Sequence, residues 1–163
     1  MSDVMTLDVA ARAALIDKFR ALPDQVAAVV AGLSDAQLTT HFIPGEWTVA
    51  QNVHHLADSH MVCFLRIKHI LTEDRPSIAP YDQDRWAEIA DANSADIAKS
   101  LELLRGLHMR WVDLFESLSE EQWQRVGVRP NGSEVRVVDL LRGYAGHGEA
   151  HLDQIRRTLA AQA

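Results

Sequence analysis

The hydrophobic pattern of the chain repeats with the period of an α-helix in four separate segments. In the first, apolar residues recur every three or four positions from Leu15 to Leu33, and Pro23 lies within this run. Because proline removes one backbone hydrogen bond and clashes with the preceding turn, we expect a kink or a break near Ala21 and Leu22. The first segment therefore predicts an amphipathic helix that is disturbed in its middle.

Three further segments carry the same period without an internal proline. The second opens at Thr48, where Gln51 three residues later completes a capping box, and it should end near Thr72. The third runs from about residue 94 to residue 118, and the fourth from about residue 137 to residue 159. Each is long enough to line one side of a helical core.

The connections between these segments contain turn residues and no long alternating pattern. Residues 129–132 (Arg-Pro-Asn-Gly) predict a turn or a small hairpin, and Ser119 should cap a short turn over residues 120–123. The longest connection, residues 73–93, contains a short turn around Trp86. We therefore expect a single all-α domain over residues 1–163, a four-helix bundle with up-down-down-up order.

Composition and charge restrict the classes of partner and the cellular compartment that the sequence favours. The 163 residues include 23 acidic and 16 basic side chains, a formal net charge of -7, which argues against a nucleic-acid partner. Residues 1–5 lack the features of a signal peptide, and the longest apolar run, residues 26–33, is too short for a membrane helix. Together with the lone Cys63, these features predict a cytoplasmic protein with no membrane partner.

The chain has eight histidines but only one cysteine, so nitrogen and oxygen atoms must hold any bound metal. His147 and His151 are four residues apart, the spacing at which two imidazoles of one helix reach the same ion. The alternative is that the pair forms only a polar border of its helix. For such a pair taken alone, that alternative is the commoner case.

A third ligand could come from the histidines of the second helix. Periodicity places His60 within the apolar seam and His54 and His55 on its two flanks, which favours His60. A single histidine on an apolar face is, however, more often a hydrogen-bonded core residue than a ligand. The residues alone leave the identity of the third ligand open.

Residues 45–61 (Gly-Glu-Trp-Thr-Val-Ala-Gln-Asn-Val-His-His-Leu-Ala-Asp-Ser-His-Met) are similar to the first motif of the DinB-like superfamily, in its YfiT branch. Further matches follow in order at Pro80-Tyr81-Asp82, Trp86, Leu107 to Trp111 and Tyr144 to His151. The resemblance covers about residues 10 to 160. It implies a four-helix bundle that holds a divalent metal with three histidines, and it makes a homodimer the expected assembly.

Carried over residue by residue, the resemblance assigns the metal to His55, His147 and His151, in place of the preference for His60. Three neutral imidazoles suit Zn²⁺ or Ni²⁺ and leave coordination positions open. The chain departs from the family pattern around the C-terminal ligands His147 and His151, where it has Gly146, Ala150 and Gln154. These departures alter the wall of the expected pocket but keep the metal ligands.

Residues near the expected ligands are candidates for supporting roles. Asp58 and Ser59 follow His55 by three and four residues, so they could orient its ring or a bound water, or they could form a solvated edge. We predict that the segment with Tyr81, Asp82 and Trp86 forms either a lid over the metal or only a packed connection between helices.

Four other residues are assigned to packing. His108 and Trp111 lie on the apolar face of the third helix and should belong to the core, with the imidazole hydrogen-bonded. Cys63 is expected to be a small buried apolar residue. Trp47 directly precedes the Thr48 cap and should pack against the start of the second helix.

The leading functional hypothesis is a divalent-metal-dependent enzyme that acts on a small molecule. Members of the resembled family are provisionally described as metal-dependent hydrolases, and other branches are transferases that use bacillithiol or related low-molecular-weight thiols. The metal would accordingly activate either water for hydrolysis or a thiol cosubstrate for S-transfer. The alternative is a helical bundle that binds a metal or ligand without catalysis, as a sensor, carrier or dimerisation module.

Overall fold

The computed structural model describes residues 7–162, which form seven helices and one two-stranded antiparallel hairpin. The elements are α1 (Val9–Val30), α2 (Asp35–Thr39), α3 (Val49–Thr72), α4 (Gln83–Ala87), α5 (Ala98–Glu116), α6 (Glu120–Gln124), β1 (Val126–Val128), β2 (Glu134–Arg136) and α7 (Val137–Ala160). Residues 1–5, on which the prediction of no signal peptide depends, lie outside the described residues. No described helix combines the length and the apolar character that crossing a membrane requires.

The four long helices form a bundle in which α1 and α3 each pack against both α5 and α7. Helices α1 and α3 therefore lie diagonally across the bundle, as do α5 and α7, whereas α3 and α5 are neighbours. His54 meets Ser100 and His60 meets His108, so α3 and α5 run in the same direction. All four long helices thus line the interior of the bundle.

Two further pairs of contacts fix the remaining directions. Arg20 on α1 meets Glu116, whereas the later residue Asp24 meets the earlier residue Arg105, so α1 and α5 are antiparallel. The contact between residues 52 and 151 and the contact between residues 60 and 147 make α3 and α7 antiparallel in the same way. The predicted up-down-down-up bundle is confirmed.

Helix α1 runs through Pro23 without interruption, so of the predicted kink or break near Ala21 and Leu22 the break is wrong. Pro23 has no N–H to donate to the carbonyl of Phe19, its partner four residues earlier in a regular helix. That carbonyl instead accepts a hydrogen bond from Nδ1 of His108, at 2.7 Å. The lost helical bond is therefore replaced, and burial of the apolar seam stabilises the helix on both sides.

The sequence locates α3 and α7 closely and α5 less well. The capping box at Thr48 is confirmed in both directions, because its backbone N–H donates to Gln51 and its hydroxyl accepts from the Gln51 N–H. Helix α5 begins at Ala98, later than expected, because the backbone N–H of Asp96 bonds the Ser94 hydroxyl in a local turn. The hairpin around residues 129–132 is confirmed, whereas α2 is a helix that the periodicity did not predict.

Polar rings, three buried and two half-buried, lie where two apolar clusters of the core meet. One cluster includes Phe19, Trp111 and Ala145, and the other includes Leu56 and Leu152. Between them lies a group of histidines from α3, α5 and α7, which we call the histidine layer: His55, His60, His108, His147 and His151. The layer interrupts the apolar core at the level where the candidate ligands converge.

Helices α1 and α7 approach each other closely beside this layer. A Cβ atom added at Gly148 would lie 2.5 Å from Cδ2 of the buried Leu22, which is closer than carbon atoms can pack. Gly143 lies on the same helix, and a Cβ there would meet nothing within 4 Å. A side chain at position 148 would therefore force Leu22 to move, which disfavours any residue larger than glycine where α1 and α7 meet.

We expect Gly148→Ala to lower the free energy of unfolding by about 1–2 kcal/mol, because overpacking costs more than the gain in helix propensity returns. Gly143→Ala, the matched control, should raise it by up to about 1 kcal/mol. Urea denaturation followed by circular dichroism measures both. Equal stability of the two variants would contradict the close approach of α1 and α7.

Candidate metal centre

Helices α3 and α7 bring His55, His147 and His151 together at one end of the histidine layer. One ligand nitrogen from each ring can be chosen so that all three lie within 4.8 Å of one another. Nε2 of His55 and Nε2 of His147 are 3.2 Å apart. Within residues 7–162, this is the one group of three His, Cys, Asp or Glu side chains close enough to share a metal ion.

The donor set fits a divalent cation. Two nitrogens bound at the usual distance to a tetrahedral Zn²⁺ lie about 3.3 Å apart, which agrees with the separation of the His55 and His147 nitrogens. Neutral imidazole is a ligand shared by zinc, nickel and copper, so the ligands alone do not select the ion. Three protein ligands leave at least one coordination position for a water or a substrate.

Burial keeps all three rings neutral. Desolvation lowers the pKa of His147 to about 4, and desolvation together with the charge of His147 lowers that of His55 to about 4. The pKa of His151 falls to about 3, mainly through burial and then through its two neighbouring imidazoles. At neutral pH each ring is therefore uncharged and has one unprotonated nitrogen, so a cation does not have to displace an imidazolium ion.

Asn52 fixes the orientation of His151, a role that the sequence reasoning missed. The Asn52 amide nitrogen donates to the carbonyl of Thr48 at 2.9 Å, so its oxygen is the atom that lies 2.8 Å from Nδ1 of His151. Since that oxygen only accepts, Nδ1 carries the proton and Nε2 is left unprotonated. A polar residue buried one turn after a helix cap was the available signal, but it does not reveal which partner lies opposite.

Trp47 forms a wall of the centre in addition to preceding α3. Its ring stacks on His151 with centroids 5.9 Å apart and planes at 14°, and its centroid lies 4.7 Å from that of His55. The sequence assigned Trp47 to packing against the helix start, and the structure adds this contact with two of the three candidate ligands. The indole restricts the positions that these imidazoles can adopt.

Two adjoining clefts open beside Trp47. The larger has a volume of about 760 Å³, within the range of small-molecule sites, and is lined by His41, Gly45, Glu46, Trp47, Gln51, Asp84, Ala87, Glu88 and Asn93. The smaller, of about 200 Å³, shares Trp47 and Asp84 with it and reaches His151 and Gln154. The clefts give a small molecule a route to the histidine cluster.

The other predicted site residues make their described contacts away from the three imidazoles. Ser59 is buried and its hydroxyl donates to the carbonyl of Leu56 at 3.5 Å. Asp58 is half-buried, and its pKa is raised by burial and by the charge of Asp91. The supporting roles of these residues stay predictions.

In the segment for which a lid or a packed connection was predicted, the ring of Tyr81 lies 4.5 Å from that of Trp86 and beneath the guanidinium of Arg66. Whether the segment acts as a lid stays a prediction. Asp82 caps α4 by accepting the backbone N–H of Arg85. It is the next part of the segment, at Gln83 and Asp84, that lines the smaller cleft.

The remaining histidines of the motifs fall into two groups. His54 connects α3 to the start of α5, with Nε2 at 2.9 Å from the carbonyl of Ser94 and Nδ1 at 2.8 Å from the hydroxyl of Ser100. His60, the ligand that periodicity favours, lies behind the cluster and contacts His147 and His108. The prediction that His108 is a hydrogen-bonded core residue is confirmed.

Comparisons with known proteins agree with this fold. The family model of the DinB superfamily matches residues 18–155. A protein of Geobacillus thermodenitrificans, provisionally named a metal-dependent hydrolase, is 49% identical over 142 residues, covering 86% of this chain and 79% of its own length.

Two solved structures share the fold. YfiT of Bacillus subtilis, described as a probable metal-dependent hydrolase with an unusual four-helix bundle topology, superposes with a TM-score of 0.91 at 34% identity, over 97% of this chain and 91% of its own. A mycothiol-dependent maleylpyruvate isomerase superposes with a TM-score of 0.68 at 16% identity, over 88% of this chain and 60% of its own. At that identity the second likeness shows the fold alone.

We expect the metal-free protein to lose stability as the pH falls from about 6.5 toward 4. The imidazoles of His55, His147 and His151 stay neutral in the folded chain because their pKa values are about 4, 4 and 3, whereas in the unfolded chain they take up protons below about 6.5. Each therefore lowers the free energy of unfolding by up to about 1.4 kcal/mol per pH unit.

Urea denaturation in the presence of a chelator, at pH values from 7 to 5, measures this slope. His151→Gln removes one such group and should make the slope shallower. A free energy of unfolding that does not change between pH 6.5 and 5 would contradict the burial of these rings.

Proposed function

The chain belongs to the DinB superfamily, and from this premise we propose that it is a metal-dependent enzyme whose divalent cation is held by His55, His147 and His151. One observation carries the proposal: three neutral imidazoles from two antiparallel helices converge, with ligand nitrogens within 4.8 Å of one another, beside an open cleft. Zn²⁺ and Ni²⁺ are the ions that we expect to occupy the centre.

When bound, such a cation supplies a Lewis acid that makes water or a thiol acidic enough to act as a nucleophile near neutral pH. The protein's own contribution is to leave the positive charge undiminished, because all three donors are neutral. Trp47 restricts the rings of His55 and His151, and Asn52 holds His151 with Nε2 unprotonated. The residues thus prepare the centre before the ion arrives.

Hydrolysis of a small ester or amide is the reaction that we propose first. The relative from Geobacillus thermodenitrificans and YfiT both carry names of metal-dependent hydrolases, which supports this choice. The substrate would reach the centre along the cleft walls at Trp47 and Asp84. Because the carboxylates of Asp84 and Glu88 line the larger cleft, neutral or cationic substrates should be preferred over anions.

Transfer to or from a low-molecular-weight thiol is the second candidate function. The same neutral donors would leave the cation's charge available to stabilise a thiolate, which is the nucleophilic form of a thiol. A protein of similar fold is mycothiol-dependent by its description, which supports including thiols as cosubstrates in any assay.

We expect the purified protein to bind one divalent cation per chain and His151→Ala to bind it more weakly. Loss of a ligand should cost more than the roughly 10–100-fold in affinity that loss of a supporting hydrogen bond costs. His69→Ala is the matched control, since His69 is an exposed residue at the far end of α3. Calorimetric titration with Zn²⁺ and Ni²⁺, with metal analysis of each protein, makes the measurement; equal metal content in wild type and His151→Ala would refute the site.

Turnover separates the enzyme from a non-catalytic binding module. A panel of neutral, cationic and anionic esters and amides, and of electrophiles offered with several cellular thiols, should reveal a reaction that stops on chelation and returns when the metal is restored. Hydrolysis without thiol supports the first candidate, and strict dependence on a thiol supports the second. Tight metal binding with no turnover across the panel would favour a sensor or carrier.

A further inference from the structure

Two buried histidines extend from the candidate ligand His147 toward α1. His60 is 0% exposed and His108 is 1% exposed, and their rings stack with centroids 5.0 Å apart. They form a continuous chain of close contacts: the carbonyl of Phe19 to Nδ1 of His108 at 2.7 Å, Nε2 of His108 to Nδ1 of His60 at 2.7 Å, and Nε2 of His60 to Nδ1 of His147 at 3.2 Å. The chain thus connects α1 to a candidate ligand on α7.

The position of every proton in this chain follows from its first member. A carbonyl oxygen can only accept, so His108 must donate to Phe19 through Nδ1–H. Both rings are fully buried and their hydrogen-bond partners are imidazoles and a carbonyl rather than carboxylates, so each ring is neutral and carries a single proton. Nε2 of His108 is therefore an acceptor, and the proton in the next contact belongs to Nδ1 of His60.

The same reasoning continues to the metal centre. Because His60 carries its proton on Nδ1, its Nε2 accepts, and the donor in the last contact is Nδ1–H of His147. We infer that His60 and His108 are positioning residues that hold His147 in the tautomer with an unprotonated Nε2, the atom that faces His55 and would bind the cation. This inference rests on the proposed function only in its last step, since the tautomer belongs to the metal-free protein.

Pro23 makes this arrangement available. In a regular helix the carbonyl of Phe19 would accept the N–H of the residue four positions later, but that residue is a proline and has none. The carbonyl is therefore free to accept from His108. A backbone carbonyl cannot rotate freely or change its protonation state. It therefore fixes which atom donates and which accepts in each of the hydrogen bonds that follow.

The contact between the candidate ligands His55 and His147 agrees with this assignment of donors and acceptors. Nε2 of His55 and Nε2 of His147 are 3.2 Å apart, so one of them must carry a proton when no cation is present. With His147 held as the acceptor, the donor is His55. Two ligands, His147 through His60 and His151 through Asn52, are thus set in the binding tautomer, and His55 alone must shift its proton to bind through Nε2.

This series of hydrogen bonds positions His147 and does not conduct protons. A proton wire needs an exchangeable proton and an outlet at each end, and the carbonyl of Phe19 provides neither. A purely structural role is the competing explanation, because the same rings also pack against Phe19 and Trp111. The two explanations differ in whether the tautomer of His147 depends on His108.

Nuclear magnetic resonance of the metal-free wild-type protein tests the inference without any substitution. Long-range proton–nitrogen correlation spectra of protein labelled with ¹⁵N-histidine report which ring nitrogen carries the proton. The expected result is Nδ1–H for His60, His108 and His147, and Nε2–H for His55. A proton on Nε2 of His147 would overturn the inference, whether or not the protein binds a metal.

Substitutions then test the dependence on His108. His108→Leu removes the acceptor for His60, so His147 should populate both tautomers and the affinity for Zn²⁺ should fall by about 10–100-fold. His108→Gln keeps one donor and one acceptor and should restore most of both readouts. Asn52→Leu is the matched control, because it should change the tautomer of His151 and leave that of His147 unchanged.

An unchanged His147 tautomer in folded His108→Leu would show that His108 only packs and would overturn the inference. If the wild-type protein shows the expected tautomers but binds neither Zn²⁺ nor Ni²⁺, the proposed function fails while the assignment of the chain stands. Circular dichroism of each variant verifies that the bundle is folded before the spectra are compared.

Discussion

A buried imidazole must find a partner for its polar nitrogens, because leaving such a group unpaired in an apolar interior costs on the order of 1–3 kcal/mol. In this bundle the requirement applies to several rings at once, since the histidine layer lies where two apolar clusters of the core meet. The contacts that satisfy it, from Phe19 through His108 and His60 to His147, involve all four long helices. A shift of one helix by a single turn, about 5.4 Å, would break this chain. The polar contacts therefore fix the register of helices that apolar packing alone would allow to slide.

The same burial that costs stability prepares the centre to bind a cation. Imidazoles exposed to water would be partly protonated in mildly acidic solution, and a cation would then compete with protons for their nitrogens. Because they are partly or fully withdrawn from water between α3 and α7, the rings of His55, His147 and His151 remain neutral. The energetic cost of holding uncharged polar rings inside the bundle and the readiness of those rings to bind a metal thus have one origin. Close packing, as at Gly148, supplies the apolar burial that offsets this cost.

The sequence predicted those features that depend only on residues close together along the chain. The capping box at Thr48 depends only on residues three apart, and the pairing of His147 with His151 depends only on the pitch of one helix, so both could be read directly. The third ligand could not, because choosing between His55 and His60 requires the rotation of α3 relative to α7. Only the family resemblance pointed to His55. The hydrogen bond between Asn52 and His151 depends in the same way on how two helices face each other.

The chemistry of Pro23 was read correctly from the sequence, whereas the break that was one of its two predicted consequences does not occur. The missing N–H is real, but a side chain from another helix meets the freed carbonyl and the helix continues. A protein engineer who ranks positions by helix propensity would replace this proline with alanine first, expecting a more stable helix. The replacement would offer the Phe19 carbonyl a second donor in competition with His108. Pro23, which resembles a defect in α1, thus limits how this helix can be stabilised. Replacing it would weaken the hydrogen bond that fixes which nitrogens of His108, His60 and His147 carry protons. The metal centre would be affected although α1 contributes no side chain to it.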